Sequence, residues 1–170
     1  MSETTLTLPE PWASKLAPLF EVLSLDQALG RLVVPMAGGS EAMVKQVQAL
    51  LADEALANRP DLAAGLWLYV DELDRSHRIS QGLDDQTGSY WHAIMHRREG
   101  DFGNCKYWFR RTGHHPAMDR VTGPAGGGYD PDDMVDRVEA ADGRGENEDP
   151  ALAAVQREEW ARLFEWCCEQ

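Results

Sequence analysis

The 170-residue chain has no apolar run long enough to span a bilayer. Its longest apolar or small stretch, Leu62 to Val70, falls well short of the roughly 20 residues a membrane helix needs. The opening Met1-Ser2-Glu3-Thr4 carries neither the basic region nor the apolar stretch of a secretory signal. Cysteine is scarce. The three present form no C-x-x-C pair, which argues against a disulfide framework and points to a reducing, cytoplasmic setting. Positive charge is scarce too: 16 basic against 29 acidic side chains, a net charge of −13, disfavour a nucleic-acid or anionic-membrane partner. No P-loop, Rossmann glycine fingerprint, G-x-S-x-G elbow or zinc-finger spacing occurs, which removes the commonest nucleotide-binding enzymes.

What remains fits one soluble domain covering 1–170, with 43% hydrophobic and 26% charged residues. The periodicity predicts an all-α domain of about six or seven helices and no strand. Pro18 predicts a break in the first helix. Ser24 with Gln27 forms a capping box, and Ser40 caps a helix carrying Met43, Val47, Leu50 and Leu51. Asp61 is expected to cap a single helix from Leu62 to about Ser80, and Ser89 a helix that Gly100 stops. Asp101 or Asn104 starts the next, closed by Gly113. Residues 113–130 read as a long, flexible Gly-rich loop, a lid or a connector, hinged at Gly126-Gly127-Gly128. Asp130-Pro131 opens a short acidic helix, residues 140–149 read as an acidic linker, and Asp149-Pro150 launches the last helix.

Charge and aromatic residues concentrate in the middle. Residues 91–120 are net basic, and all five histidines lie between His77 and His115. In Trp91-His92-Ala93-Ile94-Met95-His96-Arg97-Arg98-Glu99, the side chains of His92, His96 and Glu99 fall within about 60° on one helix face. Histidines four apart can share a metal, and a carboxylate one turn on can ligate or orient. Ala93 stands where the H-E-x-x-H metalloprotease glutamate belongs, so that chemistry is excluded. His77 continues the Leu66, Val70, Leu73 stripe and is the expected third partner, with Asp74 placed to orient it. The expected catalytic set is therefore His77, His92, His96 and Glu99, which double as ligands for a divalent zinc, iron or manganese ion. Without metal, the same residues can serve as an acid–base group or merely pack.

The segment Lys106-Tyr107-Trp108-Phe109-Arg110-Arg111 places basic groups beside aromatic rings, which suits carboxylate or phosphate recognition. Lys106 and Arg110, one turn apart, are the expected anion clamp, with Arg97 and Trp91 as further substrate contacts. Arg111 is open to either reading, anion contact or pairing with the acidic 130–149 region. His114 and His115 are read as capping the helix before them, Cys105 as a core residue, and Cys167-Cys168 as one packed and one exposed thiol.

The runs Trp67-Leu68-Tyr69-Val70-Asp71-Glu72-Leu73-Asp74-Arg75-Ser76-His77, Tyr90 to Glu99 and Lys106 to Arg111 occur in that order across about residues 62–116. Together they resemble a family of uncharacterised microbial proteins. The resemblance implies a shared central unit and brings no activity with it. The residues themselves point to a small cytoplasmic helical enzyme acting on a small anionic molecule through a histidine cluster. The alternative is a non-catalytic ligand-binding or protein-interaction module.

Overall fold

The computed structural model describes residues 4–34 and 38–170. Among them the chain forms ten α-helices and no strand. They are α1 (Trp12–Val22), α2 (Leu25–Leu29), α3 (Glu41–Leu51), α4 (Glu54–Ala57), α5 (Pro60–Tyr69), α6 (Leu73–Ser80), α7 (Gln86–Glu99), α8 (Phe102–Thr112), α9 (Pro131–Gly143) and α10 (Pro150–Glu169). A 3-10 helix, Pro116–Arg120, lies between α8 and α9. From α5 to α9 each helix packs on the next, and the 3-10 helix packs on α10. The long α10 returns across α5, α2, α9 and the 3-10 helix.

Several boundaries follow directly from side-chain chemistry. Ser24 and Gln27 cap each other's backbone, and Ser40 accepts from the Met43 amide. Asp130 and Asp149 each accept two amides of the following first turn, with Pro131 and Pro150 at the first helical position. Others are set differently from the sequence expectation. α5 starts at Pro60 without a side-chain cap, and Asp61 is an ion-pair partner of Arg59 instead. α7 starts four residues early, capped by Asp85 in place of Ser89, because the Asp85 carboxylate accepts from the Gly88 amide at 2.7 Å. Pro18 does not break α1, whose Leu16 and Leu19 are fully buried on either side of it.

The helix expected over Leu62 to Ser80 is two helices. The Glu72 amide reaches back to the Trp67 carbonyl at 2.9 Å and the Asp71 amide to Leu68 at 3.2 Å, a Schellman closure with Asp71 in the left-handed region (φ 62°). The same closure ends α7 with a glycine in that place, Gly100 (φ 83°). Glycine announces such a stop in a sequence and aspartate does not. The turn is held from outside: the fully buried Arg98 of α7 ion-pairs Asp71 at 2.8 Å, off the direction of a well-aligned hydrogen bond, and donates to the Leu68 carbonyl at 3.1 Å.

The core centres on Trp91, Trp160, Phe164 and Tyr69, with Trp160 and Phe164 stacked at 4.6 Å. Gly65 lets α5 approach this group. A Cβ there would stand 2.8 Å from the Trp91 ring and 3.0 Å from Phe164, and its carbonyl accepts the Trp160 indole N–H at 3.1 Å. A second cluster joins Leu32, Met134, Val138 and Leu152.

The two segments read as loop and linker are built into this frame. Within 113–130, Ala117, Met118 and Val121 are buried, Thr122 and Gly128 form an isolated bridge, and the Tyr129 hydroxyl donates to Glu159. Within 140–149, Asn147 accepts from the Val33 amide at 2.6 Å and donates to the Val33 carbonyl at 2.5 Å. Its own carbonyl accepts the Leu32 amide at 2.9 Å.

Candidate functional site

α6 and α7 are joined by a short turn, so the last turns of α6 lie beside the middle of α7. That brings His77 to His92 and His96. Ring centroids are 4.6 Å apart for His77–His92, 5.4 Å for His77–His96 and 4.7 Å for His92–His96. One nitrogen of each ring lies within 4.8 Å of those of the other two. His92 and His96 are buried, at 1% and 7% exposure, while His77 is half-buried and forms the outer edge.

Each ring has a different environment. His96 Nδ1 faces Glu99 Oε1 at 2.5 Å, which fixes the ring and leaves Nε2 for another partner. The His92 ring stacks on Trp108 at 3.9 Å, and its Nδ1 has no hydrogen-bond partner. Burial, the neighbouring His96 and His77, and Arg111 together push the His92 imidazole down to about 3. It is thus a neutral base at ordinary pH, the form that binds a metal or takes a proton. Asp74, expected to orient His77, is exposed and forms no hydrogen bond with it. The break between α5 and α6 explains this: His77 does not continue the α5 stripe but sits on a separate helix whose orientation Asp71 and Arg98 set.

The residues expected to hold an anion are dispersed. Arg97 is fully buried and pairs with the equally buried Glu159, which also accepts from Tyr129. Burial opposes its charge, but Glu159 outweighs this and holds the guanidinium more firmly protonated than usual. Trp91 is enclosed in the core beside Trp160. Lys106 pairs with Asp136 of α9 at 2.5 Å, and Arg110 is exposed. The reason lies in α8, whose buried stripe is Cys105, Phe109 and Thr112. Lys106 and Arg110 flank that stripe on the α9 side. Trp108 and Arg111 flank it on the other, where Trp108 covers His92 and the Arg111 guanidinium lies 5.0 Å from the Trp108 ring centre.

Trp108 and Arg111 are thus at the site without having been assigned to it. The stripe at 105, 109 and 112 was the available signal. It divides the helix surface in two, but which flank meets α7 is a matter of packing.

The remaining candidates are structural. His115 Nδ1 accepts the Ala117 amide at 3.1 Å and its Nε2 meets Thr87 Oγ1 at 3.2 Å, so it caps the 3-10 helix ahead of it rather than the end of α8. Burial is the main cause that lowers its imidazole to about 4. His114 is exposed and meets Asp119 at 2.8 Å. Cys105 is fully buried, which raises its thiol to about 12. Cys168, expected to be exposed, is buried along with Cys167, and its carbonyl accepts the Trp12 indole N–H at 3.1 Å.

No protein-family model, curated protein or solved structure matches the chain. The compact helical domain rests on the structure itself. No helix among the described residues is long and apolar enough to cross a membrane.

Proposed function

We propose that this protein is a metal-dependent enzyme acting on a small anionic molecule, with one divalent ion of the zinc, iron or manganese class held by His77, His92 and His96. The observation that supports this most is the convergence of three imidazole nitrogens within 4.8 Å, with the buried His92 Nδ1 left without a partner. Nitrogens bound at about 2 Å in a tetrahedron lie roughly 3.3 Å apart, so only small ring movements are needed.

Glu99 then acts on His96 from behind, as carboxylates do on metal-bound histidines, and is a positioning residue rather than a ligand. Three protein ligands leave a coordination position for water or substrate. A zinc ion held there would bring the pKa of its bound water to about 7, which would support hydrolysis or proton transfer near neutral pH. The test is elemental analysis of purified, zinc-equilibrated protein. The wild type should hold one ion per chain, and the His92→Ala/His96→Ala double variant none. A wild type that retains no ion, or a double variant that retains as much, overturns the reading. Metal uptake without turnover of any anionic ester or amide would leave a binding module.

A further inference from the structure

Beside the histidines, a cleft of about 520 Å³ opens between the α6–α7 turn, the first turn of α7, the end of α8 and α10. Asp84, Asp85, Thr87, Ser89, Arg111 and His115 lie along it. Ser89, which lines the cleft, is one turn before His92 on α7. Arg111 bridges the cleft and the histidines. It lines the cleft and lies over the ring that stacks on His92.

The charges in this cleft are separable. Arg111 forms no ion pair among the described residues, where its guanidinium meets the Trp108 ring and makes a long 3.5 Å approach to the Tyr107 hydroxyl. His115 contributes no positive charge, because both ring nitrogens are engaged and the ring is neutral. Arg111 is therefore the cleft's cation. Opposite in sign, Asp85 spends one oxygen on the Gly88 amide and leaves the other without a hydrogen bond, and Asp84 is exposed without a partner. Ser89 is nearly buried, at 6% exposure, and its hydroxyl makes no side-chain hydrogen bond.

We infer that this cleft binds a small zwitterion, its phosphate or carboxylate on Arg111 next to the histidines and its ammonium on Asp84 and Asp85. An anion alone would satisfy Arg111 and be repelled by the two carboxylates, and a cation alone the reverse. A molecule carrying both charges satisfies both. The inference rests on the histidine cluster being the reacting centre, and it names the substrate class of that centre.

The test is calorimetric titration of phosphoethanolamine into metal-free and zinc-loaded protein, with propyl phosphate as the equally long ligand that lacks the ammonium. Phosphoethanolamine should bind the wild type, and Arg111→Gln should weaken it about tenfold or more, the loss expected of one charge-assisted pair. Arg110→Gln, on the opposite flank of α8, should leave affinity unchanged. Propyl phosphate, and phosphoethanolamine on Asp84→Asn, should each bind several-fold more weakly. No binding to either form of the wild type, or binding indifferent to Arg111→Gln, overturns the inference, and equal affinity for propyl phosphate overturns its zwitterionic part. The two proposals fail separately. A chain that takes up no zinc yet binds phosphoethanolamine through Arg111 loses the metal and keeps the cleft, while zinc uptake without phosphoethanolamine binding does the opposite.

Discussion

Two sides of α7 bury polar groups in opposite ways. On one, Arg97 and Arg98 carry full charges into the core, and the terminal nitrogens of each find partners: Glu159 for the first, Asp71 and the carbonyls of Leu68, Ala28 and Arg31 for the second. Only the Nε atoms are left over. On the other side, His92 enters a pocket as deep and keeps a ring nitrogen with no partner at all. A buried ion network tied to three other elements organises a fold. A buried neutral imidazole beside two further histidines makes no such tie, and that difference marks the histidine side as the candidate site.

The comparison breaks most visibly at Glu159. Glu159→Leu strands the Arg97 charge in the core and should cost about 3–5 kcal/mol in chemical denaturation. A loss below about 1 kcal/mol would mean that the α7–α10 ion pair is not what joins those helices.

His115 sharpens the contrast, being a buried histidine whose nitrogens are both engaged. Its folded-state value of about 4 lies below the ordinary 6.5. The unfolded chain therefore binds the proton first, and stability that is full above about 6.5 drains away as pH falls toward 4. In metal-free protein, His115→Asn should lose about 2 kcal/mol less than wild type between pH 7 and pH 5. Parallel pH profiles of the two proteins would show His115 to be exposed to protonation in the folded state.

The smallest effect belongs to the histidine side. His92→Leu in metal-free protein should change stability by less than about 1 kcal/mol, because an apolar side chain replaces an unpartnered polar one of similar size. The same variant should lose the rise in melting temperature that zinc gives the wild type. A large destabilisation without metal would place His92 with the frame.

Much of this was legible in the chain itself. Helical spacing, the Ser24–Gln27 box, Asp130-Pro131, Asp149-Pro150 and the stop at Gly100 are local, and each is decided by neighbours within about one turn. The one-face placement of His92, His96 and Glu99 is local as well, since helix geometry alone fixes it. The turn at Asp71 was not legible. Aspartate in the left-handed region is held there by Arg98, 27 positions later, and no local signal carries that information. Without that turn, His77 is read on the wrong helix and given the wrong carboxylate.

The residues that carry chemistry were thus set by sequence, and their company by packing. The chain on its own determined that histidines, arginines and aromatics would crowd into positions 77–115, on helices, with two imidazoles and a carboxylate on one face. Only the tertiary structure decided that Arg97 would pair with Glu159 rather than meet a ligand, and that Arg111 rather than Arg110 would stand beside His92. Both choices depend on which flank of a helix its neighbour covers. A helix's periodicity fixes where its flanks lie relative to the buried stripe, but it carries nothing that tells one flank from the other until a second helix packs against it.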